Sequence, residues 1–419
     1  MKIEQIHQLF LQQEQNITTD TRKINHGALF FALKGNRFNA NKFAQQALDK
    51  GASYVIIDQE EYYINQQTIL VDDVLETLQK LAYFHREYLD IPILALTGSN
   101  GKTTTKELIR EVLATQYNVA ATIGNLNNHI GVPLTLLNMT PKTQIGVVEM
   151  GANHLKEIQL LCFIAAPNYG YITNFGKAHL EGFGSEEGIV QGKSEMYQYL
   201  ASAEGIAFVN KEEKRQVAKS EHCNCVYFSP LDTPLIDLNP YVKIAYKDRA
   251  IQSNLIGKYN YNNILAAIAI GAYFGISEDN IQKAIESYIP QNNRSQILAK
   301  ENTKIILDAY NANPTSMQAA IESLDLLTDA KKGVILGDMF ELGENSLQEH
   351  QNIVDVTLAM EFDIIVFVGE HFYQNKSNKA LFFKTFEDLK NNFNFDVTQH
   401  TILIKGSRGM ALERVVDLI

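Results

Sequence analysis

One stretch, "ILALTGSNGKTTTKELI" at residues 93–109, constrains the fold more than any other part of the sequence. Its first five residues, Ile93 to Thr97, are apolar or β-prone and predict a buried strand. The residues after the loop predict a helix from Thr103 onward, with these apolar side chains on one face: Leu108, Ile109 and Val112. The glycine-containing loop is therefore a turn from a strand into a helix.

This loop has the residue types that bind polyphosphate. Gly98 and Gly101 let the backbone curl so that successive N–H groups point inward, beside the positive N-terminal end of the helix. Lys102 can reach the outer phosphates, and the hydroxyl of Thr103 can coordinate magnesium. The common pattern G-x-x-x-x-G-K-[ST] requires glycine at position 96, where this chain has Leu96, so the shorter G-x-x-G-K-T remains. A plain glycine turn with an exposed lysine is the alternative, and the strand–loop–helix context favours phosphate binding.

Length and composition indicate a globular protein of two or three domains. The chain has 419 residues, of which 45% are hydrophobic and 20% charged, so a sizeable core is available. The net charge of -11 argues against a nucleic-acid-binding surface, which needs a basic face. The start "MKIEQIHQLF" lacks the layout of a signal peptide, and no apolar run approaches the roughly 20 residues that span a bilayer. We therefore expect a cytoplasmic protein with no membrane span.

The cysteines and the longest apolar run favour ordinary structural roles. Cys162, Cys223 and Cys225 occur without a CxxC motif or clustered histidines, so we expect reduced thiols. The Cys-x-Cys pair is interpreted as loop composition rather than as a zinc site. The apolar run from Ile264 to Ile276 predicts a buried helix.

Alternating strand and helix patterns divide the chain into three predicted domains, residues 1–88, 89–290 and 291–419. In the first domain two strands flank a helix, in the order Ala28 to Leu33, Phe38 to Asp49, and Tyr54 to Asp58. The second domain adds strands at Ile145 to Met150 and Tyr169 to Asn174. In the third, helices follow the strands in "KIILDAY", "GVILGDM", "DIIVFVG" and "TILIKGS", which implies a parallel, doubly wound sheet.

Polar residues at strand ends are the next candidates, because ligands of open parallel sheets gather beyond the carboxyl ends of the strands. Glu149 ends a predicted strand, where it would order magnesium beside the phosphate loop or cap a neighbouring helix. His179 and Lys193 follow the next strand. Taken alone, His179 is interpreted as a hydrogen-bonded loop residue and Lys193 as a solvated helix lysine.

Two further stretches carry candidate nucleotide contacts. Asn260 and Asn263 stand three apart at the start of an apolar helix, so both side chains can face one direction. Asparagine can pair with an adenine edge, or it can cap the helix. Asp308 follows a buried strand, where it can accept from ribose hydroxyls or only order the turn, and Asn313-Pro314 starts a helix.

These stretches, in this order, resemble the Mur ligases of peptidoglycan synthesis. The similarity begins with "TDTRKINHGALFFALKGNRFNANKFAQQALDKGA" and runs from about residue 18 to the last helix. It continues through "TGSNGKTTTKELI", "GNLNNHIGVPLTLL", "VVEMGANHLKEI", "ITNFGKAHLEGFGSEEGIVQGKSEM", "ILDAYNANPTSM", "ILGDMFELG" and "ILIKGSRGM". The resemblance implies an α/β fold with a small α/β domain for a UDP substrate, a central P-loop ATPase domain with a mainly parallel sheet, and a C-terminal Rossmann-like domain.

The resemblance also implies an ATP-dependent ligase that forms an amide through an acyl phosphate. "NLNNHIGVPLTLL" and "YNANPTSM" favour the family member that joins D-alanyl-D-alanine to UDP-N-acetylmuramoyl-tripeptide. The implied protein is a monomer that uses ATP and two magnesium ions. Another Mur ligase, a folylpolyglutamate synthase-like ligase and a P-loop kinase are the alternatives. A folylpolyglutamate synthase generally lacks the separate first domain, and a kinase would not need the third.

The same resemblance assigns roles to individual residues. The ATP-binding set is Gly98, Ser99, Asn100, Gly101, Lys102, Thr103, Thr104, Asn263, Arg294 and Asp308. The catalytic set is Lys102, Glu149, His179 and Lys193, and the metal set is Thr103, Glu149, His179 and a carbamate formed on Lys193. The substrate-binding set is Thr21 and Arg22 for the UDP part, Asn127 and Asn128 for the sugar-peptide region, and Tyr310 and Asn311 near D-alanyl-D-alanine.

Two positions depart from the family pattern. Many members have histidine where this chain has Tyr259, and an Asp-Asp pair where it has Leu307-Asp308. The tyrosine keeps an aromatic face for packing. The lost carboxylate leaves Asp308 as the only acidic side chain of the pair for ribose binding.

Overall fold

Three successive α/β domains make up the computed structural model, which describes residues 1–291 and 293–419. Each domain is organised around one mainly parallel sheet. Within the described residues, no helix combines the length and the apolar character that crossing a membrane would require. The domain boundaries after residues 88 and 290 stay predictions.

The N-terminal domain has a four-stranded parallel sheet in the order β1-β2-β5-β6. Its elements are α1 (Ile3–Gln12), β1 (Ile17–Thr18), β2 (Leu29–Phe31), β3 (Lys34–Gly35), β4 (Phe38–Asn39), α2 (Ala44–Asp49), β5 (Tyr54–Ile57), β6 (Thr68–Leu70) and α3 (Val74–Leu89). The helix predicted from Phe38 is wrong at its start. Phe38 pairs in a short hairpin, and the Asn39 side chain accepts the N–H of Asn41, so the chain turns and the α-helix begins only at Ala44.

The central domain is built on a six-stranded parallel sheet in the order β12-β11-β10-β7-β9-β8. Its first elements are β7 (Ile93–Thr97), α4 (Lys102–Ala114), β8 (Val119–Ala121), α5 (Gly131–Leu137), β9 (Ile145–Glu149), α6 (Glu157–Ala165), β10 (Tyr169–Ile172), α7 (Leu180–Phe183) and α8 (Glu186–Ser202). They are followed by β11 (Ile206–Asn210), α9 (Lys214–Lys219), β12 (Asn224–Phe228), β13 (Leu235–Asp237), β14 (Lys243–Tyr246), β15 (Arg249–Gln252), α10 (Lys258–Tyr273) and α11 (Glu278–Ser287). The last three strands form a separate antiparallel sheet that the sequence did not predict.

The strand and helix around the phosphate loop are confirmed. β7 has the predicted bounds, and α4 begins at Lys102, one residue before the predicted Thr103. The three apolar residues of its predicted face are completely buried: Leu108, Ile109 and Val112. The loop interpretation of the Cys-x-Cys pair is wrong for Cys225, which lies in the edge strand β12, and all three cysteines are free.

The C-terminal domain contains a six-stranded sheet in the order β16-β17-β21-β18-β19-β20. Its elements are β16 (Gln296–Lys300), β17 (Thr303–Asp308), α12 (Pro314–Asp325), β18 (Lys332–Gly337), α13 (Ser346–Leu358), β19 (Ile364–Val368), α14 (Glu370–Gln374), β20 (Leu381–Phe383), α15 (Phe386–Asn391) and β21 (Thr401–Lys405). The four predicted strands, β17, β18, β19 and β21, are confirmed as parallel neighbours. Two strands were not predicted, the antiparallel β16 and the edge strand β20. The helix predicted after β21 is two 3-10 segments, Arg408–Met410 and Leu412–Asp417.

A buried histidine pair lies where the N-terminal domain meets the central domain. His85 on α3 bonds through Nε2 to the carbonyl oxygen of Met139 at 2.8 Å, and its Nδ1 lies 3.0 Å from Nε2 of His7 on α1. Because a carbonyl oxygen only accepts, His85 carries its proton on Nε2, and His7 must donate to Nδ1. His85 is therefore neutral in this arrangement, because its Nδ1 accepts. Burial, and next the neighbouring His85, lowers the pKa of His7 to about 4.

This pair predicts a loss of stability in mild acid. The folded state disfavours the protonated ring, so the unfolded chain binds more protons below the ordinary pKa of 6.5, and stability falls as the pH drops from 6.5 towards 4. The free energy of unfolding of the variant His7→Phe should be lower by about 1 kcal/mol at pH 7.5, because the hydrogen bond to His85 is missing. Between pH 6.5 and 4, the free energy of unfolding of this variant should then fall less than that of the parent. Urea unfolding across this range tests the difference, with the exposed His222→Phe as control. Equal pH dependence in His7→Phe and the parent would refute the assignment.

Candidate active site

A cavity of about 650 Å³ lies between the central and C-terminal domains. The neighbouring parallel strands β7 and β9 both end at it, because the carboxyl ends of parallel strands meet at one edge of a sheet. Its wall combines the phosphate loop, the loop after β8, the start of α10, and residues around β17 and α12. The cavity therefore brings together segments that lie more than 200 residues apart in the sequence, such as Asn100 and Asn313, whose side chains are joined by a 2.7 Å hydrogen bond.

The phosphate loop has a backbone that only glycine accommodates. Gly98 and Gly101 have φ angles of +145° and +79°. A Cβ atom on Gly98 would lie 1.9 Å from Oγ1 of Thr173, and one on Gly101 would lie 2.6 Å from Oδ1 of Asn263. The curled loop is thus held tightly between the end of β10 and helix α10.

Lys102 is folded back onto this loop. Its Nζ donates to the carbonyl oxygens of Gly98 at 2.6 Å and Ser99 at 3.3 Å. Burial lowers the pKa of Lys102, the carboxylate of Glu149 opposes this shift, and Arg294 adds to it. Burial of the charged form of Lys102 therefore costs free energy, which an anionic ligand in the cavity would offset.

Glu149 is a buried carboxylate whose side-chain partners come from α4 and from the loop after β8. Its oxygens accept hydrogen bonds from Oγ1 of Thr103 at 2.9 Å and from Nδ2 of Asn127 at 2.8 Å. Nζ of Lys106 lies 3.9 Å from the same carboxylate and donates to the carbonyl oxygen of Thr122 at 2.6 Å. Sequence reasoning missed Lys106, although its position four residues after Lys102 puts both on one helix face.

The interpretation of Lys193 as a solvated lysine is wrong. Its side chain has no exposed surface, and within the described residues its Nζ has no hydrogen-bond partner. Its Nζ lies over the ring of Phe183, 5.3 Å from the centroid. Burial holds the pKa of Lys193 well below its ordinary value, and the positive charge of Lys102 lowers it further, while Glu157 opposes the shift. Burial and the nearby positive charge therefore both favour the neutral amine of Lys193 over its charged form.

His179 connects the central domain to the C-terminal domain. It lines the cavity, and its Nδ1 is in contact with the carboxylate of Glu341, from the loop after β18. The contact lacks the geometry of a regular hydrogen bond in this structure. The pKa of Glu341 is lowered, chiefly by this contact with His179. Sequence reasoning missed Glu341, because the pairing depends on how two domains are placed.

The predicted nucleotide contacts Asn263 and Asp308 also line the cavity. Asn263 faces Asn260, as their spacing predicts, with a hydrogen bond of 2.8 Å, and it also accepts from Thr105 at 3.0 Å. Asp308 accepts from the N–H of Ser295 at 3.1 Å and is paired with the buried Nζ of Lys405 at 2.5 Å. Its carboxylate is therefore already engaged by a lysine that sequence reasoning did not single out.

Aromatic residues lie beside these groups. The guanidinium of Arg294 stacks on the ring of Tyr310, 3.7 Å from its centroid. The hydroxyl of Tyr259 lies 2.7 Å from Oγ of Ser295, and burial raises the pKa of this tyrosine. Tyr259, where many family members have histidine, is thus hydrogen-bonded to the segment that leads into the C-terminal domain.

The predicted substrate contacts fall in two places. Four of them line the cavity: Asn127, Asn128, Tyr310 and Asn311. The Oδ1 of Asn128 caps the turn before α5 by accepting from the N–H groups of Ile130 and Gly131. Thr21 and Arg22 lie outside the cavity, in the N-terminal domain, where Arg22 pairs with Asp20 at 2.8 Å. The structure therefore does not bring these two residues to the phosphate loop.

The donor set fits a hard divalent cation. The hydroxyl of Thr103 and the carboxylate of Glu149 are already in contact, and oxygen donors of this kind suit magnesium. Within residues 1–291 and 293–419, no three His, Cys, Asp or Glu side chains are grouped closely enough to hold a metal ion by themselves. A further anionic donor, or the oxygens of a phosphate, would be needed to complete such a site.

The phosphate loop, the three domains and the shared cavity define a ligase-type arrangement, and comparison with known proteins gives its family. Residues 15–86 match the model described as "Mur ligase family, catalytic domain", residues 96–271 match "Mur ligase middle domain", and residues 293–408 match "Mur ligase, glutamate ligase domain". The chain belongs to the Mur ligase family.

Individual relatives are similar in sequence to this chain along almost its whole length. The UDP-N-acetylmuramoyl-tripeptide--D-alanyl-D-alanine ligase of Bacillus subtilis (strain 168) is 36% identical over 96% of this chain and 93% of its own. The ligase of the same name from Escherichia coli (strain K12) is 33% identical over 96% and 92%.

Solved structures show the same fold. The crystal structure of MurF from Acinetobacter baumannii has a TM-score of 0.87 at 30% identity, covering 98% of this chain and 97% of that one. MurF ligase from Thermotoga maritima in complex with ADP has a TM-score of 0.85 at 28% identity, covering 97% of each chain. A folylpolyglutamate synthase from Mycobacterium tuberculosis shares only the fold, with a TM-score of 0.63 at 12% identity.

Removing the buried cation beside Glu149 should destabilise the protein strongly. The variant Lys106→Met removes the cation that lies 3.9 Å from Glu149 and 2.9 Å from Glu107, and breaking a buried ion pair costs about 3–5 kcal/mol. The control Lys80→Met breaks an exposed pair with Glu76 and should cost less than about 1 kcal/mol. Urea denaturation of both variants measures the contrast. Equal, small losses would show that Lys106 does not stabilise the buried carboxylate.

Proposed function

We propose that this chain is an ATP-dependent ligase that joins D-alanyl-D-alanine to UDP-N-acetylmuramoyl-tripeptide. The observation that carries the proposal is the similarity along almost the whole chain to relatives of that name, 30–36% identical over 95–96% of this chain in the seven best covered. The cavity supports it, because the phosphate loop of the central domain faces residues of the C-terminal domain across it.

The reaction needs ATP because an amine does not displace oxide from a carboxylate. The tripeptide carboxylate attacks the γ-phosphate, which releases ADP and gives an acyl phosphate. The amine of D-alanyl-D-alanine then attacks the acyl carbon, and inorganic phosphate leaves as the amide forms. Placing the two substrates and ATP on three domains brings the reacting groups together and excludes water from the acyl phosphate.

Residues of the central domain would neutralise the charge that accumulates in this reaction. Lys102 would exchange its bonds to the loop carbonyls for the outer phosphates, while the N–H groups of residues 101–104, at the start of α4, would bind the phosphate oxygens. Thr103, Glu149 and His179 would hold two magnesium ions. Bound magnesium would offset the repulsion between the carboxylate and the phosphates.

Lys193 would contribute through a covalent modification. Its neutral amine can add to carbon dioxide, so that an N–C bond forms and one proton leaves, giving a carbamate. The modification replaces a group that prefers to be uncharged with an anionic oxygen donor. It would supply the further anionic ligand that Glu149 and His179 do not provide.

The remaining proposed roles concern contacts with the nucleotide and with the two substrates. Asn263, Arg294 and Asp308 would contact the nucleotide, with Lys405 sharing the carboxylate of Asp308. Thr21 and Arg22 would bind the UDP part, Asn127 and Asn128 the sugar-peptide region, and Tyr310 and Asn311 the incoming dipeptide. We further propose a monomer that acts in the cytoplasm, with domain boundaries after residues 88 and 290.

A phosphate-release assay tests the reaction. With ATP and magnesium, phosphate should be released only when UDP-N-acetylmuramoyl-tripeptide and D-alanyl-D-alanine are both present, because each half-reaction needs its acceptor. Mass spectrometry of the product should show the pentapeptide. Release with glutamate and folate, and none with the two cell-wall substrates, would instead assign the chain to the folylpolyglutamate synthase class.

The carbamate role of Lys193 has its own test. The variant Lys193→Ala should lose most of its ligase activity and recover part of it when a small carboxylic acid such as acetate is added, because the acid can replace the missing anionic donor. Lys219→Ala, at an exposed position in α9, should keep full activity and show no response to acetate. Full activity of Lys193→Ala without added acid would reject the role.

A further inference from the structure

Glu341 and His179 meet at the domain interface in backbone conformations that are unusual for their residue types. Their φ angles are +63° and +56°, in the left-handed region that side chains with a Cβ rarely adopt. Strained residues persist only where their surroundings hold them, and they cluster at functional sites. Two such residues in contact across two domains therefore point to a function for the contact itself.

The loop that carries Glu341 is anchored firmly in the C-terminal domain. Asp338, just before it, accepts hydrogen bonds from the N–H groups of His371 and Phe372 at 2.9 Å each. Phe340 donates its N–H to Oγ of Ser407 at 2.9 Å. Glu341 consequently moves with the C-terminal sheet rather than with the central domain.

The segment that carries His179 is held against the same domain on both sides. Before it, the N–H of Lys177 donates to Oγ1 of Thr315 at 3.0 Å, and Nζ of Lys177 donates to Glu349 at 2.8 Å. After it, the N–H of Glu181 donates to the carbonyl oxygen of Glu341 at 3.2 Å. His179 is thus clamped in place by contacts that exist only when the two domains are together.

The contact with Glu341 determines which ring nitrogen is left for a ligand. A carboxylate beside Nδ1 favours the tautomer with its proton on that nitrogen. Nε2 then carries the lone pair, on the far side of the ring from Glu341. Histidines that bind metals are commonly oriented in this way by a carboxylate, and its loss weakens metal binding about 10- to 100-fold.

We propose that Glu341 is a positioning residue, which the C-terminal domain delivers to His179 so that Nε2 is fixed as a ligand for a divalent cation. The metal site is then complete only when the C-terminal domain is docked on the central domain. This inference rests on the proposed role of His179 as a metal ligand. It links metal binding to domain closure through one carboxylate.

Binding of Mn²⁺, as a paramagnetic substitute for magnesium, tests this inference without turnover. The full-length protein is titrated with Mn²⁺ in the presence of a non-hydrolysable ATP analogue, and free Mn²⁺ is followed by electron paramagnetic resonance. Glu341→Gln should weaken the binding of one Mn²⁺ ion about 10- to 100-fold. Glu344→Gln, an exposed glutamate on the same loop, should bind like the parent. Unchanged Mn²⁺ binding by Glu341→Gln would overturn the proposal.

Two further measurements separate failure of this inference from failure of the proposed function. His179→Ala and the double variant with Glu341→Gln should weaken Mn²⁺ binding equally, since Glu341 acts only through His179. Normal Mn²⁺ binding by His179→Ala would refute the metal-binding role of His179 itself. Additive losses of Mn²⁺ affinity in the double variant would overturn only the positioning role of Glu341. The ¹⁵N resonances of the His179 ring should report a proton on Nδ1 in the parent and a mixture of tautomers in Glu341→Gln. The same tautomer in both proteins would likewise overturn the positioning role.

Discussion

The buried carboxylate of Glu149 is the constraint on which the site depends. Taking a carboxylate out of water is costly unless hydrogen bonds and a counter-charge offset the loss. Here the compensation comes from α4 through Thr103 and Lys106, and from the loop after β8 through Asn127. The desolvation cost of one side chain therefore fixes the phosphate-loop helix, the central sheet and the loop after β8 relative to one another.

The cations around this carboxylate explain how an acidic protein can bind polyphosphate. The chain has a net charge of -11, yet the cavity holds Lys102, Arg294 and Lys405, and Lys193 lies close enough to Lys102 for their charges to interact. Burial lowers the pKa of Lys102 and Lys193, so a bound anion beside either lysine would stabilise its charged form. The local field at the site, rather than the net charge of the chain, decides which ligands are attracted.

The predictable parts of the fold are those that follow from the sequence pattern of a single segment. The strand at residues 93–97 and the apolar face of α4 depend on spacing along one segment, and both agree with the structure. Strand β16 was missed because it is defined by antiparallel pairing with β17 rather than by a pattern of its own. The burial of Lys193 was missed because it depends on Phe183, which comes from a neighbouring helix. Within the site, residue types could be read from the sequence, but partners such as Lys106 and Glu341 could not.

The interface between the central and C-terminal domains includes polar contacts beside the cavity, while buried apolar side chains of both domains also belong to one cluster. The polar contacts include the bond between Asn100 and Asn313, the two bonds of Lys177 and the contact between His179 and Glu341. Polar contacts that are partly exposed contribute little net free energy, and interfaces of this kind allow domains to move. Ligands that bind groups from both domains at once would add free energy to the docked state, which would join assembly of the reactants to closure of the site.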